Sequence, residues 1–347
     1  MEHAARYTAE QHSAGQHTAE HTREGHRTMT EPVIGFIGLG NMGGRMTRCI
    51  TGKGIEVIGY DAHARNIEGA GAVAGTSAGD VTDRADIVFL SLPDSRIVEL
   101  VVLGDDGVLA HAKEGQIVVD LSTANPESTR EIAAALAEKG AHYLDAGISG
   151  GAAAAEKGTL TLMVGGEQSA LDAVHEAMSH FASNIVFMGP SGAGHTTKLL
   201  NNFLNAVALS ATSEVMVAGR RAGLDMDALL GVLNTSSGVN FATLNRFPKI
   251  VHGDYLKGGL SNALMMKDVL LYTELIAGLG VAGVHAAGPL ASFGAAMATG
   301  RSAEISNTVV DVLGDLSGGV RLYDTEDTED TEHAEATEHA RDTGSAS

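Results

Sequence analysis

The apolar positions change period partway along the chain. Between about residues 33 and 187, short apolar runs alternate with segments of helical spacing. Residues 33–37, 55–60, 87–90, 117–120 and 143–145 read as strands, with helices at 41–52, 94–101 and 126–139 between them. The last helix carries its own start signal: Asn125 can cap it, Pro126 suits the first helical position, and Glu127 favours the first turn. Residues 159–164 and 185–187 extend the same sheet. Beyond Gly194 the pattern turns helical, at 195–220, 225–234, 262–279, 287–299 and 303–317, with no convincing strand after about residue 190.

Strands alternating with helices imply a mainly parallel, doubly wound sheet. The pattern therefore predicts an α/β Rossmann-type dinucleotide-binding domain followed by an all-α C-terminal domain. The expected divisions are a tail at 1–30, the sheet domain at 31–190, the helical domain at 191–322 and an acidic tail at 323–347. A length of 347 residues suits two domains with real cores. The N-terminal tail has almost no large apolar groups and no signal-peptide pattern, so it reads as solvated chain; its five histidines are too irregular for a metal site, and no metal is expected.

Charge and cysteine use narrow the partners. The formal net charge is -20, and residues 323–347 alone hold nine acidic residues and one basic. An acidic body argues against nucleic acid and anionic membranes, though not against a small anion held by local lysines. No stretch approaches the roughly 20 apolar residues of a membrane span. A single cysteine, Cys49, excludes an internal disulfide and fits a reducing cytoplasm.

The first chemical signal is Gly38-Leu39-Gly40-Asn41-Met42-Gly43, which follows an apolar strand and opens a helix. Gly38 permits the tight turn, Gly40 lets the backbone approach a pyrophosphate, and Gly43 lets the helix lie close to the strand. Asp61 ends the second strand, where a carboxylate accepts hydrogen bonds from both ribose hydroxyls and repels a 2′-phosphate. NAD is therefore expected over NADP, although Arg65 could soften the preference. Leu92-Pro93, after the fourth strand, should flank the cofactor.

The second signal is a stripe on the 195–220 helix. Lys198, Asn201, Asn202 and Asn205 fall at i, i+3, i+4 and i+7, where a solvated face would be rich in Glu and Lys. Amides facing a closed cleft would fix a polar ligand and a lysine; the plain alternative is an ordinary moderately polar face. Lys267 has Ala or Leu at 263, 264, 270 and 271, so its ammonium must snorkel out or meet a buried anion. Two strand ends add Ser122-Thr123 and Ser149-Gly150-Gly151, the latter a hydroxyl with exposed backbone donors that suits a carboxylate. Each could instead be turn chemistry.

The motifs Gly35–Gly43, Asp120-Leu121-Ser122-Thr123, Asp145-Ala146-Gly147-Ile148-Ser149-Gly150-Gly151, Gly192-x-Gly194-x-x-x-Lys198-x-x-Asn201-Asn202 and Lys267-Asp268 occur in this order over about 33–320. The sequence thereby resembles the β-hydroxyacid dehydrogenase family, which includes 3-hydroxyisobutyrate dehydrogenases and tartronate semialdehyde reductases. The resemblance implies that Lys198 is catalytic, that Ser149, Gly150 and Gly151 bind the substrate carboxylate, and that Asn202 supports substrate and lysine. It also implies that Ser122, Thr123 and Lys267 lie beside cofactor and substrate. Two departures stand out: Gly147-Ile148 replaces the family's common proline and valine, and His195 precedes the lysine, where it caps the helix, bonds locally, or touches substrate.

These readings imply reversible oxidation of a short 3-hydroxy acid to its semialdehyde or 3-oxo acid, with Lys198 as general acid and base. A homodimer or homotetramer through the apolar helical domain is expected. The alternatives are an NADPH-dependent aldehyde or imine reductase of the same fold, against which Lys198 and Asp61 count, and a non-catalytic dinucleotide-binding module.

Overall fold

The computed structural model describes residues 32–256 and 259–323. The tails expected at 1–30 and 323–347 lie outside the described residues, apart from Tyr323. The first half alternates β1 (Ile34–Ile37), α1 (Gly43–Thr51), β2 (Val57–Tyr60), α2 (Ala64–Ala70), β3 (Val73–Ala74), α3 (Ala78–Arg84), β4 (Ile87–Leu90), α4 (Ser95–Leu103) and α5 (Val108–His111). It continues with β5 (Ile117–Asp120), α6 (Pro126–Ala137), β6 (His142–Ser149), α7 (Gly151–Lys157), β7 (Leu160–Gly165), α8 (Gln168–Met178) and β8 (Ala182–Gly189). Helices follow: α9 (Ala193–Arg221), α10 (Met226–Asn234), α11 (Phe241–Asn245), α12 (Phe247–Ile250), α13 (Asn262–Gly278), α14 (Ala287–Ala298) and α15 (Val309–Leu316).

The strands form one eight-stranded sheet in the order β3-β2-β1-β4-β5-β6-β7-β8. Every pairing is parallel except β6 with β7. The Rossmann-type architecture is thus as expected, with helices beyond it. β1, β4 and β5 are buried along their whole length, which is why they read as unbroken apolar runs rather than alternating ones. Phe36, Phe89, Leu144 and Phe181 pack in one core cluster, while Val88, Leu90, Val118 and Ile132 pack in another. A third cluster, with Met216, Phe247, Met265 and Phe293, holds the helical part together. Strand order reverses between β1 and β4, so a crevice opens at their carboxyl ends, where sheets of this kind bind ligands.

The elements differ from the sequence expectation in three places. The strand expected at 143–145 runs on to Ser149, because residues 145–149 pair antiparallel with β7. Gly147 and Ile148 are therefore strand residues and not loop. The helix expected from 303 begins at Val309, after a 3-10 turn at Ser306–Thr308. β3, α2, α3, α5, α7, α8, α11 and α12 were not anticipated; most are one or two turns long, and β3 is two exposed residues paired with the sheet edge.

The seating of α9 follows from its glycines. Gly192 adopts φ +88°, and a Cβ on Gly194 would lie 2.3 Å from the carbonyl oxygens of Asp145 and Met163. Only glycine at 194 lets this helix press its first turn against β6 and β7.

Candidate active site

The glycine turn has the geometry that a dinucleotide needs. Gly38 sits at φ +88°, and a Cβ there would meet the Ser91 carbonyl oxygen at 2.3 Å. A Cβ on Gly43 would lie 1.9 Å from the Gly38 carbonyl oxygen, so this residue closes the turn onto the helix. Gly40 faces open space, with nothing within 4 Å of a built Cβ. The first turn of α1, led by Asn41 and Met42, has no side-chain cap and no acidic residue. Its backbone N–H groups and the helix dipole can therefore be given to phosphate oxygens. The Leu39 N–H donates to Asp61 Oδ2 at 2.7 Å, and the His63 N–H and Asn66 Nδ2 donate to Asp61 Oδ1 at 2.8 and 2.9 Å. Asp61 thus ties the turn to the end of β2, and Arg65 on α2 is exposed nearby in sequence.

The ends of β4 and β5 are stitched together beside the turn. The Leu92 N–H, just before Pro93, donates to Ser122 Oγ at 2.9 Å. Lys267 Nζ donates to the Thr123 carbonyl at 2.9 Å, bridging from α13 back to the sheet across 144 residues of sequence. Its ammonium also lies 3.1 Å from Asp268 Oδ1, so this lysine meets an anion rather than snorkelling away.

Asp268, which the sequence offers only as a neighbour and structural partner of Lys267, is the hub of these contacts. It is 2% exposed and accepts a short hydrogen bond from Asn202 Nδ2. Lys198 is half-buried on α9, four residues before Asn202. Burial pushes its pKa down from 10.5 to about 8, with Asp268 pulling it up and Lys267 pushing it further down. The asparagine stripe divides: Asn202 is buried, Asn205 accepts from Arg246 Nη2 at 3.2 Å, and Asn201 is exposed, donating to Asn202 Oδ1 at 3.3 Å. Not all of the stripe faces one closed cleft, since a helix three residues on has turned Asn201 toward solvent.

Gly147 is where β6 and Lys198 touch. A Cβ there would lie 2.5 Å from Lys198 Cβ and 3.2 Å from its Cγ. Ser149, two residues on along the same face of the strand, ends β6. Gly150 and Gly151 follow at φ +122° and +68°, both exposed, and turn the chain into α7.

His195 does not cap its helix. Its ring is fully buried, and Nδ1 lies 2.7 Å from Thr129 Oγ1 on α6, while Nε2 is 3.8 Å from Asp120 Oδ2, beyond hydrogen-bond reach. Capping falls instead to Asp145, which accepts the N–H groups of Gly192 and His195 at 2.7 and 2.8 Å. Asp120 accepts from the Tyr143 hydroxyl and the Ser122 N–H, each at 2.9 Å. Two carboxylates at the ends of buried strands were the visible signal for this network, because each must find donors. Among the described residues, no group of three His, Cys, Asp or Glu side chains is placed to hold a metal, and no helix is long and apolar enough to cross a membrane.

Two family models match in tandem. Residues 33–189 match the NAD binding domain of 6-phosphogluconate dehydrogenase, and residues 192–313 match NAD-binding of NADP-dependent 3-hydroxyisobutyrate dehydrogenase. An NAD-dependent L-serine dehydrogenase of Pseudomonas aeruginosa is 40% identical over 251 residues, covering 70% of this chain and 84% of that protein. A 2-(hydroxymethyl)glutarate dehydrogenase of Eubacterium barkeri is 36% identical over 244 residues, covering 70% and 81%. Among solved structures, 3-hydroxyisobutyrate dehydrogenase of Mycobacterium tuberculosis with L-serine superposes with a TM-score of 0.74 at 30% identity, over 81% of this chain and 99% of that one. An imine reductase from a Pseudomonas species, at 18% identity and TM-score 0.54 over 82% and 100%, shares the fold alone. The two matches together span the sheet and the helices after it: the chain belongs to the β-hydroxyacid dehydrogenase family and is an NAD-binding oxidoreductase of hydroxy acids.

Proposed function

We propose that the protein interconverts a short 3-hydroxy acid and its semialdehyde or 3-oxo acid, with Lys198 as the general acid and base. The observation that carries this reading is the setting of Lys198: half-buried against Gly147, with a pKa lowered to about 8 and Asp268 beside it. A neutral amine is then available near physiological pH to take the hydroxyl proton, and the ammonium is available to return it. Nicotinamide, when bound, supplies the hydride acceptor for oxidation and the donor for reduction. Asn202 steadies Asp268, which in turn holds the charge balance between the two lysines. Ser149 with Gly150 and Gly151, together with Ser122, Thr123 and Lys267, holds the substrate carboxylate and fixes the reacting carbon, a large part of any barrier reduction. Gly38 to Gly43 cradle the pyrophosphate, Asp61 takes the ribose hydroxyls and so favours NAD over NADP, and Leu92 and Pro93 flank the cofactor with Thr123 and Lys267.

The same reading divides the chain into a cofactor domain at 31–190 and a helical domain at 191–322, and sets the enzyme in the cytoplasm. It also makes it a homodimer or homotetramer. Leu200, Leu204 and Val215 are 44%, 69% and 47% exposed along one face of α9, which a second copy would cover.

Lys198→Ala is expected to bind NAD as the parent does, by fluorescence titration, while turnover falls by about 10²–10⁴. Near-normal turnover in that variant would sink the assignment. A panel of 3-hydroxyisobutyrate, 3-hydroxypropionate, L-serine and 2-(hydroxymethyl)glutarate, run with NAD and NADP in parallel, identifies the substrate class.

A further inference from the structure

Arg246 carries a charge that no carboxylate among the described residues neutralises. It stands between α11 and α12 and is half-buried. Nη1 donates to Ser306 Oγ at 3.2 Å and to Asn307 Oδ1 at 2.7 Å, and Nη2 donates to Asn205 Oδ1 at 3.2 Å. All three acceptors are neutral. Among the described residues no carboxylate lies within ion-pair distance of it, whereas Arg301 and Arg321 in the same helical part both pair with Asp315. Burial is the only influence acting on its pKa, which it lowers. A guanidinium has five N–H donors, and these bonds account for three. Nε and the second hydrogen of Nη2 remain, and together they form the edge that grips a carboxylate in two parallel bonds.

Two connections bring this edge to the active site. Asn205 follows Lys198 by seven residues on the same face of α9, two turns or about 10 Å along the helix. Ser306 donates its N–H to the Leu260 carbonyl at 2.7 Å, immediately before the cap of α13, the helix that carries Lys267 and Asp268. Arg246 therefore touches α9 through Asn205 and, through Ser306, the segment that leads into α13.

We propose that Arg246 is a specificity-determining residue that receives a second carboxylate, at the distal end of a 3-hydroxy acid whose hydroxyl lies at Lys198. The proposal rests on the reading of Lys198 given above and narrows the substrate class to hydroxy dicarboxylates of about five or six carbons. A three- or four-carbon monocarboxylate would leave the guanidinium edge without its anion, and burying an uncompensated charge is costly.

The test compares 3-hydroxyisobutyrate with 2-(hydroxymethyl)glutarate, which share the reacting hydroxymethyl carboxylate and differ in the carboxyethyl arm. The parent enzyme with NAD is expected to favour the dicarboxylate in kcat/KM by about ten- to a hundredfold, mainly through KM, the range of a charged hydrogen bond. Arg246→Met should collapse that ratio toward one, and Arg246→Lys should keep part of it. Because the ratio cancels any loss common to both substrates, a weakened fold does not mimic the effect. Glutarate, which lacks the hydroxyl, should inhibit the parent competitively and Arg246→Met about tenfold less well. Turnover of both acids with no preference, or a parallel loss of both in Arg246→Met, overturns this inference and leaves the role of Lys198 standing. Absence of turnover with every hydroxy acid overturns both.

Discussion

At Lys198, burial and neighbouring charge oppose each other, and burial wins. Removing the ammonium from water favours the neutral amine, Lys267 adds to that, and Asp268 acts the other way. The direction determines the pH dependence. Oxidation needs the neutral amine as base, so its kcat/KM should rise with pH through an apparent pKa near 8 and level off above it. Reduction needs the ammonium and should fall over the same interval. Asp268→Asn removes the one influence that raises the pKa, so both limbs should move to lower pH. Limbs that stay in place in steady-state profiles would show that another group limits the rate. The lysine itself was visible in the sequence, because a cation among asparagines on an otherwise apolar helix is unusual. The balance that sets its pKa was not, because burial comes from the packed fold and the opposing Asp268 lies 66 residues beyond the Asn202 that it binds.

Among the elements, α9 carries Lys198 from the sheet into the helical part, and its position against the sheet is held by close backbone contact. Asp145 caps it, Gly194 lets it touch β6 and β7, and Gly147 admits the base of Lys198. Gly147→Ala would put a methyl group 2.5 Å from Lys198 Cβ, so either the helix or the strand must shift. Displacements of about 1 Å at a reacting group can cost on the order of a hundredfold, so kcat should fall about ten- to a hundredfold while NAD affinity changes little. Equal kcat in the two proteins would mean that the helix accommodates the methyl without moving the lysine. Elements with strong periodicity were legible: β4 and β5 match the expected ranges, and α9, α10, α13 and α14 lie within two residues of theirs. The extension of β6 to Ser149 was not, since Gly147 has no strand propensity of its own and is held by pairing with β7.

For the whole molecule, the feature that remains unpartnered among the described residues is apolar: Leu200, Leu204 and Val215 stand exposed on α9. The exposed apolar face of α9 should be covered in a homo-oligomer, so light scattering is expected to give a mass of two or four chains. Leu204→Glu, which places a charge at the most exposed apolar side chain of that face, should shift the mass toward a single chain at micromolar concentration. A monomeric parent protein would remove the basis of this expectation.

The sequence alone determined the cofactor turn, the alternation that makes the sheet, and the ordered motifs that mark the family. All of these are local, because glycine conformation, strand burial and helical spacing are written within a few residues of one another. Tertiary structure decided what lies opposite what: Asp268 between two lysines, the Thr123 carbonyl beneath Lys267, His195 against Thr129, and Arg246 against the neutral Asn205, Ser306 and Asn307. Those relations set local charge and the pKa of Lys198, and they arise only when elements far apart in the chain exclude water from the same space.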